Sequence, residues 1–316
     1  MSVTSAGASS VGRGAKKALR TKALEIFDGS SNVTVTGSPT LSSLSYQNNT
    51  YRLYKFNATG SITTNYTTEA LCLLVAGGGS GAIAGGGGGG AGGHLSTSVV
   101  LQKNYTYTVT VGAGGSQTIN NGSVYAPWEG NQGSPSSIVQ TTLLCNMMAI
   151  GGGGGGSGSR WNNAGRLRGG SGGGATKDYN GGANLVGADG VAGQGNKGGD
   201  SPYFAFGASV GTGGGGGAGS AGGNVVTAGV AGAGGSGLAW IDGVTRAGGG
   251  GGGGTTPGAG GSGGGTAGTV NTTPTSPAAN TGGGGGGVRD GNPPTIGSAG
   301  GSGVVLIAIP TKVILI

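Results

Sequence analysis

Residues 71–81, LCLLVAGGGSG, run from an apolar strand directly into glycine. The same junction recurs in MAIG at residues 148–151, and in reverse order at Gly303, which leads into a last apolar strand at Val304–Ile309. β-branched and aromatic residues suit pleated, half-buried strands, whereas glycine offers no side chain to pack. The sequence therefore predicts strands and glycine segments that follow each other without a linker.

Glycine makes up 86 of the 316 residues, and charged residues make up 8%. Both values argue against an ordinary soluble enzyme domain, in which about 7% of residues are glycine and roughly 25% are charged. Collagen is excluded because the glycines form runs, such as residues 151–156, and the chain holds only 10 prolines. The tracts are therefore either flexible linkers or ordered segments whose N–H and C=O groups bond to one another.

Short strands are predicted over residues 31–76, at Leu95–Leu101, Tyr105–Val111 and Leu143–Ile150, and again at Val304–Ile309. We expect one small antiparallel β unit, because VVLIAI at 304–309 is too apolar for an open sheet edge. The glycine runs are predicted to form polyglycine II helices, extended with three residues per turn, which lie side by side and bond through their backbones.

The predicted fold class is all-β, a small antiparallel β unit combined with a bundle of polyglycine II helices, plus one short N-terminal amphipathic helix. Four parts are expected along the chain. They are a basic attachment segment with the helix at 1–30, a β-rich domain with the first glycine runs at 31–150, the polyglycine II bundle with exposed spacer loops at 151–300, and a closing strand with a hydrophobic C-terminus at 301–316.

The net charge of +7 is concentrated near the start of the chain. Residues 15–27, AKKALRTKALEIF, place apolar residues on one helical face and cations on the other, which predicts an amphipathic helix of about three turns. A helix this short needs a partner face, so we expect residues 1–30 to attach the protein to a larger assembly. The predicted attachment residues are Arg13, Lys16, Lys17, Arg20 and Lys22.

Several stretches together resemble the glycine-rich domain proteins of phages and large viruses, including tail-fibre adhesins built on polyglycine II helices. The matching stretches are YKFNATGSITT (54–64), LCLLVAGGGSG (71–81), GGGGGGAGG (85–93), YTVTVGAGG (107–115), AIGGGGGG (149–156) and GGSGVVLIAI (300–309). Their order along residues 50–310 is more specific than any one of them. The resemblance implies a glycine scaffold whose variable loops contact a receptor on a bacterial surface.

Aromatic residues are concentrated in the spacers between the glycine runs. Because aromatic side chains supply rigid contact area at binding surfaces, they are the predicted receptor-binding candidates. The alternative is that they cover the ends of the glycine bundle or fill a small core. The candidates are Tyr125, Trp128, Trp161, Tyr179, Tyr203, Phe204, Phe206 and Trp240.

Catalytic chemistry is not predicted. The single histidine, His94, follows glycine, and no nucleophile or metal motif accompanies it. Cys72 and Cys145 are predicted to be buried free thiols, with a disulfide as the alternative if their strands are neighbours. No phosphate-binding Gly-Lys motif occurs, and one Arg-Gly-Gly at 168–170 is too little for a nucleic-acid site. We expect no metal, no cofactor, no specific nucleic acid and no membrane insertion, since no stretch reaches about 20 apolar residues.

Two roles stay open for a non-enzymatic viral structural protein. The preferred role is a fibre-tip adhesin that binds a host surface receptor, a glycan or an outer-membrane protein, because spacers of unequal length suit displayed loops. The alternative is a minor capsid or capsid-surface protein (cement, decoration or fibre), favoured by the basic segment and by the hydrophobic end VILI at 313–316. In both roles the protein is located in the virion and contacts other virion proteins through its N-terminal segment. Homo-oligomerisation stays open.

Overall fold

The structure, a computed structural model, describes residues 25–26, 32–119, 128–157, 168–176, 185–202, 211–289 and 296–313. These residues form fourteen strands and no helix. The strands are β1 Glu25–Ile26, β2 Val33–Thr36, β3 Thr40–Tyr46, β4 Asn49–Phe56, β5 Gly60–Thr64, β6 Thr68–Val75, β7 His94–Leu101, β8 Thr106–Thr110, β9 Ser136–Gln140, β10 Cys145–Ala149, β11 Leu238–Ala239, β12 Thr245–Arg246, β13 Val304–Pro310 and β14 Lys312–Val313.

Ten of these strands form two five-stranded antiparallel sheets that face each other across one core. The first sheet has the order β3-β4-β13-β6-β7, and the second has the order β10-β9-β8-β5-β2. Side chains alternate between the two faces of a strand, so Tyr107 and Val109 of β8 point into the core while their threonine neighbours are turned outward. Phe56 and Ile307 of the first sheet meet Tyr107 and Ile138 of the second. The predicted all-β unit with antiparallel sheets is confirmed.

Strand β13 lies in the middle of the first sheet, between β4 and β6. Its alternate residues Val305 and Ile307 belong to the core between the sheets, whereas Leu306 and Ala308 belong to a second core on the other face. That second core is covered by the hairpin β11–β12, whose turn carries Trp240. A strand buried on both faces needs apolar residues at every position, which explains VVLIAI.

Nine glycine-rich segments, together called the glycine body, join the strands. They are residues 76–93, 111–119, 128–135, 150–157, 168–176, 185–202, 211–237, 247–289 and 296–303. β6, β8 and β10 continue directly into this body, and it leads directly into β7, β9 and β13. All six junctions lie at one end of the sandwich, so the glycine body extends from that end. We call this junction its near end and the opposite end its far end.

Backbone hydrogen bonds in the glycine body repeat their partners every third residue. Within residues 76–82, amides three apart donate to the same neighbouring segment, and three segments are contacted in turn. Ala76 and Gly79 donate to Gly93 and Gly90, Gly77 and Ser80 donate to Ser134 and Asn131, and Gly78 and Gly81 donate to Gly301 and Ser298. Carbonyls of the same residues accept from Gly152, Gly155, Gly285 and Gly115. This segment is therefore bonded to six neighbours.

Residues 87–93 show the same repeat. Their amides donate in turn to residues 150–156, 213–216 and 282–285, and their carbonyls accept from residues 76–82, 171–174 and 250. A β-sheet bonds each strand in one plane only, whereas these segments are bonded in several directions. Side chains have no room between segments this close: a Cβ added at Gly89 would overlap the carbonyl oxygen of Gly79. Some of these bonds join segments before residue 150 to segments after it, so the glycine runs on both sides of that residue share one hydrogen-bond network.

Several sequence-based boundaries need correction. β7 begins one residue earlier than predicted, at His94–Leu101, whereas β8 and β10 are shorter than predicted, at Thr106–Thr110 and Cys145–Ala149, and β9 was not predicted at all. The helix predicted over 15–27 lies outside the described residues except at Glu25–Ile26, which pair with Lys312–Val313 as β1–β14. The end of the predicted helix is thus extended, because its backbone bonds to another strand. The attachment residues before position 25 also lie outside the described residues.

A candidate binding surface at the far end of the glycine body

The first and last described strands, β1 and β14, lie on the side of the sandwich away from the glycine body. β13 begins at Val304, next to the glycine body, and ends at Pro310, after which β14 pairs with β1. Pro310 lies opposite Tyr51, and Thr311 bonds to Thr50 at the start of β4. The structure therefore has two opposite ends, the β1–β14 ladder and the far end of the glycine body.

The turn at residues 83–85 marks the far end, because residues 76–82 reach it from β6 and residues 86–93 return from it to β7. The Ile83 amide donates to the Trp128 carbonyl at 3.1 Å, and the Ser157 hydroxyl donates to the Ile83 carbonyl at 3.1 Å. The Thr176 hydroxyl donates to the Gly85 carbonyl at 2.8 Å. Hydroxyl side chains thus bond to backbone carbonyls at this end, where the glycine segments end.

Other segment ends meet at the same level. The Thr212 hydroxyl donates to the carbonyls of Gly86 and Gly253, at 2.7 and 2.9 Å. The Gly85 amide bonds to Arg289. Isolated bridges join Ile119 to Ile296, Leu185 to Ser201 and Gly211 to Gly254. The far end is therefore a continuous surface built from many turns and segment ends.

Residues that flank five further stretches of the chain lie at this surface; the stretches, residues 120–127, 158–167, 177–184, 203–210 and 290–295, are outside the described residues. Nine of their ten flanking residues lie at the far end, and the tenth, Arg168, lies nearer the sandwich, where its carbonyl accepts from Gln132. Six of the predicted receptor-binding candidates fall in four of these stretches, outside the described residues: Tyr125, Trp161, Tyr179, Tyr203, Phe204 and Phe206. The structure brings together the residues that flank these stretches.

The two tryptophan candidates within the described residues differ. Trp128 lies at the far end, half-buried, and its buried indole N–H has no hydrogen-bond partner among the described residues. Trp240 lies at the near end and is only 7% exposed; its indole N–H donates to the Ser96 hydroxyl at 3.1 Å. The recognition role predicted for Trp240 is wrong, because this side chain fills the core between the hairpin and the first sheet.

Apolar side chains at the far end were missed in the sequence. Ile119 is 58% exposed and Val226 is 84% exposed, and both lie next to turns of this surface. Val226 directly precedes the turn between Thr227 and Val230, and Val230 is another exposed valine. Exposed aliphatic residues in turns have no packing role, so an apolar residue inside a glycine-rich turn was the signal available.

Several titratable groups of the described residues are buried or half-buried. Asp242 and Arg246 form a buried two-pronged ion pair, with N–O distances of 3.0 and 2.7 Å. His94 is buried beside them, and desolvation by burial lowers the pKa of its imidazole. Cys72 and Cys145 are both free; Cys72 is buried as predicted, whereas Cys145 is only half-buried. No three His, Cys, Asp or Glu side chains among the described residues are grouped to hold a metal ion.

No helix that could cross a bilayer occurs in the part of the chain that the structure describes.

Two comparisons with known proteins bear on identity. No curated protein matches the sequence. A family model described as a glycine-rich domain matches residues 57–310, from the turn after β4 to the end of β13, and so includes strands β5–β13 and the whole glycine body. The chain therefore belongs to the glycine-rich domain family.

Proposed function

We propose that this protein is a viral fibre-tip adhesin whose glycine body is a polyglycine II bundle. In this role the bundle is a rigid platform, the stretches that start from its far end contact a receptor on the host surface, and the N-terminal segment attaches the protein to other virion proteins. The observation that carries the proposal is the grouping of nine loop flanks on one surface, opposite the β1–β14 ladder.

The three-residue repeat of hydrogen-bond partners supports the polyglycine II geometry. An extended helix with three residues per turn presents every third amide in the same direction. Residues 76–82 and 87–93 both have this repeat, and each is bonded to six neighbours. A hexagonal array of such helices needs no side chains for its cohesion, which suits a chain with 86 glycines.

The distance between the two ends supports display. Seven residues of such a helix span about 22 Å, and an eight-residue strand spans about 27 Å. The far end therefore lies roughly 50 Å from the β1–β14 ladder. Loops held on a rigid, hydrogen-bonded base lose less conformational entropy when they bind, so the glycine platform contributes to affinity without contacting the receptor.

A capsid-surface role is the second candidate, and the outer face of the second sheet favours it. Thr34, Thr63 and Thr106 lie in register across β2, β5 and β8, and two of them are exposed. This outer face is uncharged across these strands, and a flat hydroxyl surface suits lateral contact with a neighbouring subunit. Decoration of a viral shell uses such a face rather than the far end.

Labelling intact particles with an antibody against the protein separates the two roles. The adhesin proposal expects labels at fibre ends only. It also expects Trp161→Ala, or Tyr203→Ala with Phe204→Ala, to reduce adsorption of particles to host cells at least tenfold. Leu144→Ala is the matched control, since Leu144 is 90% exposed in the β9–β10 turn of the sandwich, and this variant adsorbs normally. Uniform labelling of the shell with normal adsorption of all variants would favour the capsid role.

A further inference from the structure

Two thiols from opposite sheets face the same core. Cys72 of β6 in the first sheet is fully buried, and Cys145 of β10 in the second sheet packs half-buried against the same cluster. In β10 the residues that face inward alternate, from Cys145 through Met147 to Ala149. Both sulfur atoms therefore lie on the inner faces of the sandwich.

The two cysteines also lie at nearly the same height above the glycine body. The Ala76 amide bonds to the Gly93 carbonyl at 3.0 Å, and the Gly93 amide bonds to the Ile150 carbonyl at 2.8 Å, so Ala76 and Ile150 are level. Cys72 precedes Ala76 by four residues and Cys145 precedes Ile150 by five. At about 3.3 Å per residue, the heights of Cys72 and Cys145 above the glycine body differ by the length of about one residue. β6 and β10 approach to within 8 Å between Cα atoms.

Electrostatics agrees with this proximity. Burial raises the pKa of the Cys72 thiol well above its usual range, and the neighbouring Cys145 raises it further through its charge. Burial also raises the pKa of Cys145.

Cys145 is also reachable from outside. A groove of about 540 Å³ runs between β7 and β10, the neighbouring edge strands of the two sheets. Cys145 and Met147 form one wall, Val99 and Gln102 form the other, and Leu143 lies at the turn. A small molecule can therefore meet the Cys145 sulfur without unfolding the sandwich, whereas Cys72 lies deeper.

We propose that Cys72 and Cys145 are a redox pair that closes into a cross-sheet disulfide by exchange with a small-molecule disulfide such as glutathione disulfide. In the first step the Cys145 thiolate attacks the small disulfide, which forms a mixed disulfide and releases one small thiol. In the second step the Cys72 thiolate attacks the Cys145 sulfur, and the second small thiol leaves. Two protein thiols are oxidised, and one small disulfide is reduced to two thiols.

Closing the bond has a structural consequence. A disulfide between β6 and β10 links the two sheets and constrains a loop of about 70 residues in the unfolded chain. The oxidised protein is therefore expected to unfold at a temperature several degrees higher than the reduced protein. Exchange is expected to be slow at neutral pH, because the attacking group is the thiolate and both thiols have raised pKa values.

In the test, the full chain is incubated at pH 8.5 with glutathione disulfide. Free thiols are then alkylated, under native conditions in one sample and under denaturing conditions in another, and the mass of each product is measured by mass spectrometry. Wild type is expected to lose both free thiols and retain no glutathione. Cys72→Ala is expected to retain one glutathione on Cys145, and Cys145→Ala is expected to retain its thiol and react with none.

Two results would overturn the proposal. One is wild type that stops with a single bound glutathione, as Cys72→Ala does. The other is Cys145→Ala that reacts at the wild-type rate. Peptide mapping of oxidised wild type, which needs no variant to fold, gives an independent answer: a linked peptide containing residues 72 and 145 is expected, and its absence after complete thiol loss also overturns the pairing.

Discussion

The side-chain oxygen of Gln194 accepts a hydrogen bond from the backbone N–H of Ile150 at 2.8 Å. The amide nitrogen of the same side chain donates to the Met148 carbonyl at 3.1 Å, and the Gln194 backbone carbonyl accepts from His94 at 2.9 Å. One residue of the glycine body thus ties the end of β10 to the start of β7. These are the edge strands of different sheets, at the point where both meet the glycine body.

Replacing Gln194 with alanine is expected to destabilise the fold by about 2 kcal/mol, because the half-buried Ile150 amide and the more exposed Met148 carbonyl both lose their partner. Denaturant unfolding followed by tryptophan fluorescence measures the change. Gln117→Ala is the control, since Gln117 is exposed at the surface of the glycine body and its loss is expected to cost less than about 0.5 kcal/mol. Equal stabilities of the two variants would contradict the bridging role.

Adding one methyl group inside the glycine body is expected to be severe. A Cβ at Gly89 would overlap the carbonyl oxygens of Gly79 and Ser80, and both neighbours are backbone atoms that cannot rotate away. Gly89→Ala should therefore cost more than about 3 kcal/mol or prevent folding.

Gly243→Ala is the matched control for that methyl group. Gly243 has no atom within 4 Å of an added Cβ, but its φ of +75° lies in the left-handed region. The expected cost is about 1 kcal/mol from the backbone alone. Thermal unfolding of both variants separates the two effects, and a Gly89→Ala protein as stable as Gly243→Ala would refute close packing of the segments.

The core strands could be predicted because their residues have few alternatives. VVLIAI must lie inside a sheet, and LCLLV running into glycine fixes where β6 ends. β9 was missed because SSIVQ is polar at three of five positions, and its strand structure depends on its pairing with β8 and β10. The hairpin β11–β12 was missed because each of its strands has only two residues, too few for a sequence pattern.

The position of a spacer could not be predicted, because it depends on the direction in which the chain crosses the glycine body. Residues 150–157 and 168–176 run parallel, since Gly153 bonds to Ser171 and Gly156 bonds to Gly174. A simple alternation of directions therefore fails. This is why Trp240 was predicted at a binding surface, although its hairpin lies at the near end.

Removal of residues 1–24 is expected to abolish incorporation of the protein into particles while the purified body still folds. The cut is placed before Glu25 because β1 pairs with β14 and belongs to the described fold. Immunoblots of purified particles measure incorporation. Changing Arg13, Lys16, Lys17, Arg20 and Lys22 to glutamine in the full chain is the second variant, and it isolates the charge. Normal incorporation of the shortened chain would refute attachment through this segment.

Acid is expected to weaken the fold through His94. Desolvation by burial lowers the pKa of His94, and Arg246 lowers it further, against a backbone hydrogen bond and Asp242, which raise it. A histidine with a folded-state pKa below its unfolded value of about 6.5 binds its proton more readily in the unfolded chain. Stability is therefore complete above that unfolded value and is lost as the pH falls below it.

His94→Gln removes this titration while keeping a polar side chain of similar size in the core. We expect wild type to lose stability between pH 7 and pH 5, and the loss to be smaller in His94→Gln. Urea unfolding at both pH values measures each change. Asp189→Ala is the control. The Asp189 side chain is 71% exposed and its carboxylate lies 3.8 Å from Arg168, so the stability of this variant should change with pH as that of wild type does. Parallel pH profiles of wild type and His94→Gln would show that another group causes the acid sensitivity.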